Sequence, residues 1–208
     1  MIPGALLDFA RRLGGPHGPR RLAHAPCGLI ALLLCVWSAS SAPAADPVWE
    51  ALRSAGSVVV LRHSYAPGAF DPPDARLEDC STQRNLDERG RAQARRVGEA
   101  FREHGIAVGT VLSSPRCRCL DTARLAFGQA QPWDPLQGAL RDDDRRRRQV
   151  AEIKQAIAAH RDGPPLVLVT HGSVVADLTG LNVPMGAFVV LQRGADGQHA
   201  VAGQLYIE

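Results

Sequence analysis

The chain has 208 residues, of which 45% are hydrophobic, 22% charged and 5% aromatic, enough for one domain with a sizeable core. Its formal charge of +3 is local: Arg11, Arg12, Arg20 and Arg21 against Asp8 supply all of it before residue 45, and the rest is formally neutral. A neutral body lacks the clustered Lys and Arg that grip a phosphate backbone, so nucleic acid is not the expected partner.

In the first 45 residues a basic stretch precedes an apolar core at 27–37, followed by small residues including Ala42-Pro43-Ala44. That order fits a secretory signal peptide. The core is shorter than the roughly 20 apolar residues of a membrane span. Residues 1–45 are therefore expected to be a signal peptide, or alternatively an N-terminal membrane anchor. Residues 46–208 are expected to be an exported, periplasmic domain that touches a membrane only through that segment if it stays uncleaved. Bulky Leu34 before Cys35 argues against a lipoprotein anchor.

Asp46 and Pro47 open a predicted short helix over 46–54, with Trp49 and Leu52 on one face. Val58 to Leu61 is a β-branched apolar run, the signature of a buried strand of a parallel sheet, and it ends in Arg62-His63. Residues 64–86 follow as a long loop with Pro67, Gly68, Pro72 and Pro73; a loop of that length in a compact domain is usually functional. Asp87 caps a helix carrying Ala94, Val97, Ala100 and Phe101 at helical spacing and ending near His104-Gly105.

A second strand is predicted over 106–114 and a helix from about Arg116 to Phe127, with a loop or short strand around Pro132-Trp133. A helix follows from Asp142 or later to Arg161, with Val150, Ile153, Ile157 and Ala158 inward. The third strand spans 165–170 and leads into His171-Gly172 and a helix over 173–178. Strands at 187–192 and 200–207 close the chain around a Gly-Ala-Asp-Gly turn. Strands alternating with helices predict an α/β fold: a three-layer α/β/α sandwich with a mostly parallel central sheet.

Ligands of open α/β sheets bind beyond the carboxyl ends of the strands. Here three strand ends deliver Arg62-His63, Arg116 to Arg118, and His171, which together describe a basic pocket suited to a phosphoryl group. Imidazole can take up a phosphoryl group directly, while planar, permanently charged guanidiniums pair with its oxygens.

Arg62-His63 after a strand, Ser113-Ser114 followed by Arg118 and Thr122-Ala123, His171-Gly172 after a late strand, and Arg84-Asn85-Leu86-Asp87-Glu88-Arg89-Gly90 together resemble the histidine phosphatase (phosphoglycerate mutase-like) superfamily over roughly residues 55 to 195. The resemblance implies a phosphomonoester hydrolase that acts through a phosphohistidine on a small phosphorylated substrate. His63 would be the nucleophile, its other ring nitrogen held by a backbone carbonyl, with Arg62, Arg118 and His171 holding the phosphoryl oxygens and Arg84 a further contact.

Arg116 and Arg118 compete for one role, and the family spacing to Thr122 favours Arg118. No metal and no cofactor are required. The proton donor is placed at Asp142, in a cluster with Asp143 and Asp144 that equally suits a helix N-terminus; Asp71 and Asp74 are further candidates. The chain departs from the family in having Ser64 where Gly is common after the His, and Ala187 after Gly186 where some exported relatives have Glu. The Arg145 to Arg148 run reads as a solvated helix face.

An oxidising compartment would permit one disulfide, from Cys80 to Cys117 or Cys119. Cys117-x-Cys119 is too tightly spaced for a zinc pair. The alternatives in function are a catalytically weak phospho-ligand-binding protein of the same fold and a phosphohistidine-protein phosphatase.

Overall fold

A computed structural model describes residues 46–138 and 142–208. The expectations for residues 1–45 lie outside the described residues. In chain order the elements are α1 (Pro47–Arg53), β1 (Val58–Arg62), α2 (Glu88–Glu103), β2 (Val111–Ser113), α3 (Cys117–Phe127), β3 (Gln131–Pro132), α4 (Asp143–Ala159), β4 (Leu166–Thr170), α5 (Gly172–Thr179), β5 (Ala187–Arg193) and β6 (His199–Tyr206), with short 3-10 turns at Cys80–Thr82 and Asp134–Leu136.

The sheet order is β3-β2-β4-β1-β5-β6. The first four strands run parallel and β5 and β6 antiparallel. The apolar runs explain the centre: all of Val58 to Leu61 and Val167 to Val169 are fully buried, because each face of the sheet is covered. Val59, Leu61, Val167 and Val169 face Trp49 of α1, Val97 and Phe101 of α2, and Ala123 of α3. Val58, Val60 and Leu168 face Ile153 and Ile157 of α4 and Val174 and Val175 of α5. The result is the three-layer α/β/α sandwich expected from the sequence.

Caps fix the helix starts. The carboxylate of Asp46 accepts from the Val48 amide at 2.9 Å, and that of Asp87 from the Gly90 amide at 2.9 Å.

Two expectations need correcting. The second strand covers only Val111–Ser113. Ile106 instead closes the end of α2, its amide donating to the Phe101 carbonyl at 2.8 Å, and its side chain packs into the core there. On α4, Ala158 faces solvent and Val150 is only partly covered, while Gln149 turns inward. Its Nε2 donates to the carbonyls of Pro135 and Gln137 at 2.7 Å each, so a buried amide pins the turn before residue 138.

Among the described residues no helix is long and apolar enough to cross a membrane.

Candidate active site

The ladder continues one residue past β1 and β2. The His63 amide donates to the Thr170 carbonyl at 2.9 Å and the Ser114 amide to the Val169 carbonyl at 2.9 Å, which holds the ends of β1, β4 and β2 together. His63, His171 and Arg118 converge there on a cavity of about 630 Å³, together with Arg62, Arg84 and Arg116.

His63 is 2% exposed. Its Nδ1–H donates to the Ser64 carbonyl at 2.8 Å, which leaves Nε2 as the ring's lone-pair nitrogen. Burial, opposed in part by that hydrogen bond and reinforced by the charges of Arg118, Arg84 and Arg62, pushes the imidazole pKa down to about 3. The ring is therefore neutral across the physiological range, as a nitrogen nucleophile must be. Ser64, where the family more often has Gly, is itself buried, and its amide donates to Thr122 Oγ1 at 3.0 Å. Thr122 Oγ1 in turn donates to the Arg118 carbonyl at 2.7 Å, so the Arg118-to-Thr122 spacing ties α3 to the loop after His63.

Arg62 donates through Nη1 to the Val183 carbonyl at 2.7 Å, and its buried Nε has no partner among the described residues. Gly172 makes room for it, because a Cβ there would lie 3.1 to 3.2 Å from the guanidinium. Gly186, at φ +86°, donates its amide to the carbonyls of Arg62 and His63, and a Cβ there would collide with Gln93 at 2.3 Å. Ala187 beside it is buried at the start of β5.

His171 is held from two sides. Its Nε2 pairs with Ser114 Oγ at 2.9 Å, and its Nδ1 lies 3.4 Å from Arg118 Nη2. Arg118 has only donors, so Nδ1 accepts and Nε2 carries the proton. The sequence suggested a phosphoryl donor at His171. The ring does line the cavity beside Arg118, and burial together with neighbouring His63 and Arg118 holds its pKa well below the usual histidine range.

Arg118 is the most sheltered of the site arginines in ion pairs, its side chain 7% exposed against 25% for Arg116. Its Nη1 grips Asp71 at 2.8 and 3.1 Å and also donates to the Arg84 carbonyl at 3.3 Å. Asp71 accepts the Arg84 amide at 2.9 Å as well. Burial alone would raise the Asp71 pKa, but the Arg84 amide and the Arg118 guanidinium outweigh it and hold the carboxylate below its usual range. Arg84 binds the loop back on itself through Nη1, at 2.6 Å from the Ala66 carbonyl and 3.2 Å from that of Gly68.

Asp142 does not join this group. It caps α4, accepting the Arg145 amide at 2.8 Å, and it is exposed. The helix start had a use for a carboxylate, and Asp142 meets it. Asp71 is the one carboxylate among the described residues that line the cavity. Asp74 is exposed and lines nothing there. The Asp71–Arg118 pair spans 47 positions, and no local pattern signals it.

Cys80 and Cys117 form a disulfide, fastening the long loop to the first residue of α3. Cys119 is a free, fully buried thiol beside His171, and burial pushes its pKa up to about 12. Among the described residues no cluster of three or more His, Cys, Asp or Glu side chains is placed to hold a metal ion.

No curated protein matches the chain in sequence. The sequence model of the histidine phosphatase superfamily, branch 1, matches residues 74–141. Among solved structures, the protein histidine phosphatase SixA complexed with tungstate aligns with a TM-score of 0.51 at 18% identity, over 72% of this chain and 96% of its own. A Mycobacterium tuberculosis open reading frame product aligns at 0.57 and 15% identity, over 73% and 97%. A mutant of phosphoserine phosphatase from Entamoeba histolytica, in complex with phosphoserine, aligns at 0.53 and 11% identity, over 71% and 95%. At these identities the structures speak for the fold, while the sequence model, matched over residues 74–141, joins the Arg-His strand end, the second arginine and the late histidine in supporting a phosphatase function: over that stretch the chain is similar to the histidine phosphatase superfamily.

Proposed function

We propose that this protein hydrolyses a small phosphomonoester in the cell envelope through a phosphohistidine at His63. The observation that carries the reading is the fixed tautomer: Nδ1 is spent on the Ser64 carbonyl, so Nε2 of a neutral, buried imidazole lines a cavity with Arg62 and Arg118. In the first step Nε2 attacks phosphorus, the P–O bond to the leaving group breaks, and the ester oxygen takes a proton. In the second, water attacks the phosphohistidine and releases inorganic phosphate. Arg62 and Arg118 balance the charge on the phosphoryl oxygens, each at about 2.7–4 kcal/mol if it acts like a typical oxyanion donor.

We assign the proton transfers to Asp71. It is ionised while Arg118 holds it. A phosphoryl dianion entering the site draws on the same guanidinium and adds a like charge, and both effects raise the carboxyl pKa towards protonation. Export is supported by the Cys80–Cys117 bond, since disulfides persist in oxidising compartments.

The first experiment is hydrolysis of p-nitrophenyl phosphate and of an alkyl phosphate by the full chain, beside His63→Ala and Asp71→Asn. His63→Ala should abolish phosphate release from both; activity within about tenfold of the parent would sink the nucleophile. Asp71→Asn should slow the alkyl ester at least about tenfold more than the aryl ester, whose leaving group needs little protonation. Equal losses would remove Asp71 as the acid.

The grip of Arg118 on Asp71 favours one second reading, a phospho-ligand-binding protein with little turnover. Saturable vanadate binding with no hydrolysis of either ester would select it. Turnover of phosphohistidine alone would select a phosphohistidine phosphatase, whose nitrogen leaving group asks less of an acid.

A further inference from the structure

The cavity carries more positive charge than a phosphomonoester can use. Among the described residues four guanidiniums, those of Arg62, Arg84, Arg116 and Arg118, face one carboxylate, Asp71. His63 and His171 add nothing, being neutral. Three positive charges remain, and a phosphomonoester dianion offsets two. A sheltered charge without a partner is costly, so the surplus calls for a further anion.

The geometry says which arginine is in surplus. Arg62 adjoins His63, and Arg118 meets His171, whose ring centroid is 5.4 Å from that of His63; these two surround the phosphoryl position. Arg84 is occupied with the Ala66 and Gly68 carbonyls. Arg116 is different. Its Nη1 is buried without a hydrogen bond among the described residues, where its nearest counter-charge, Asp71 Oδ2, lies 3.8 Å away. Its side chain is 25% exposed, whereas every ion-paired arginine outside the cavity is at least 43% exposed. Asp71, gripped by Arg118, already demonstrates that this corner accepts a carboxylate. Phe70, 88% exposed on the same wall, offers an apolar face to a carbon skeleton.

We propose that Arg116 forms a second anion subsite, and that the substrate carries a carboxylate or a second phosphoryl group besides the one transferred to His63. This rests on the phosphoryl site proposed above. The leaving group would lie over Phe70 with its anionic end on the Arg116 fork, whose paired donors suit either group.

The test is calorimetric titration of the full chain with phenylphosphonate, the three phosphonobenzoates and propane-1,3-bisphosphonate, in the parent and in Arg116→Gln. At least one doubly anionic probe should bind about tenfold or more tightly than phenylphosphonate, and Arg116→Gln should cut that advantage to about threefold or less. Which probe gains separates a carboxylate substrate from a bisphosphate. An advantage below about threefold for every probe, or one that survives in Arg116→Gln, overturns the subsite. If Arg116→Gln does not fold, the parent's flat or graded response decides by itself, and Arg116→Lys, with charge but no fork, should keep only part of the gain.

Turnover of p-nitrophenyl phosphate, measured separately, tests the hydrolase. Discrimination without turnover leaves the subsite standing and removes the enzyme; turnover without discrimination does the reverse.

Discussion

The paired centre of the sheet and the loop at 64–86 meet at His63 and are held by opposite means. Val58 to Leu61 of β1 and Leu166 to Val169 of β4 are apolar and buried, with backbone groups satisfied by the ladder from Val58↔Leu166 to Arg62↔Thr170. The loop has few buried apolar side chains, chiefly Ala66 and Leu86. It is pinned instead by polar contacts. Arg84 ties the Ala66 and Gly68 carbonyls, and Gln83 donates to Arg76 and Leu77 and accepts the Cys117 amide at 3.0 Å; Asp71 binds Arg118, and the disulfide anchors Cys80. The proposed nucleophile thus sits at the strand end, while Phe70, Asp71 and Arg84 ride on a segment whose shape depends on charge and hydrogen bonding. Such a segment can respond to a ligand at little cost to the core.

Variants can break that division. The largest effect should come at the junction, where His63→Ala stops turnover while leaving the folded signal in circular dichroism. Next, Leu168→Ala in the sheet should cost about 2–5 kcal/mol in denaturant unfolding, because it opens a cavity among fully buried neighbours. Its kcat/KM, assayed well below the transition, should stay within about threefold of the parent if the sheet serves the site only as a platform. A larger loss would show that the two regions are coupled.

Paired Cys80→Ser and Cys117→Ser substitutions should cost about 2–4 kcal/mol by releasing a 37-residue separation in the unfolded chain. They should also raise KM more than Leu168→Ala does, because the tether carries the loop. A KM equal to the parent's would mean that the polar pins suffice.

The smallest effect is a pH slope. The folded-state pKa of His63, about 3, lies below the unfolded value of about 6.5, so the unfolded chain binds the extra proton between those limits. Stability should therefore fall as pH drops below about 6.5, by up to about 1.4 kcal/mol per pH unit for each buried histidine, with His171 acting in the same direction. Turnover should show no limb near pH 6.5 from His63, which stays neutral; an NMR titration of the His63 ring with a midpoint near pH 6.5 would contradict its burial.

Much of the framework was legible because it is written in short-range patterns. β-branched runs marked the central strands, Asp46 and Asp87 marked the helix starts, and the charged residues after the apolar runs marked the end of the sheet that holds the cavity. Local signals failed where two uses of one residue looked alike. Asp142 read equally as acid or cap, and the cap prevailed because α4 begins there. Ile106 read as strand and became the hydrophobic stop of α2. Val150 and Ala158 read as inward, yet Gln149 is the residue that turns in and clasps the turn at 135–137.

The sequence alone determined the α/β layering and the set of basic residues delivered to one end of the sheet, since periodicity and strand-end chemistry depend on neighbours in the chain. Only the tertiary structure decided that Cys80 takes Cys117 and leaves Cys119 buried, that His171 accepts from Arg118, and that Asp71 meets Arg118 across 47 residues. Those choices depend on the path of a loop with little apolar burial of its own, and that path is set by distant partners rather than by any repeat in the sequence.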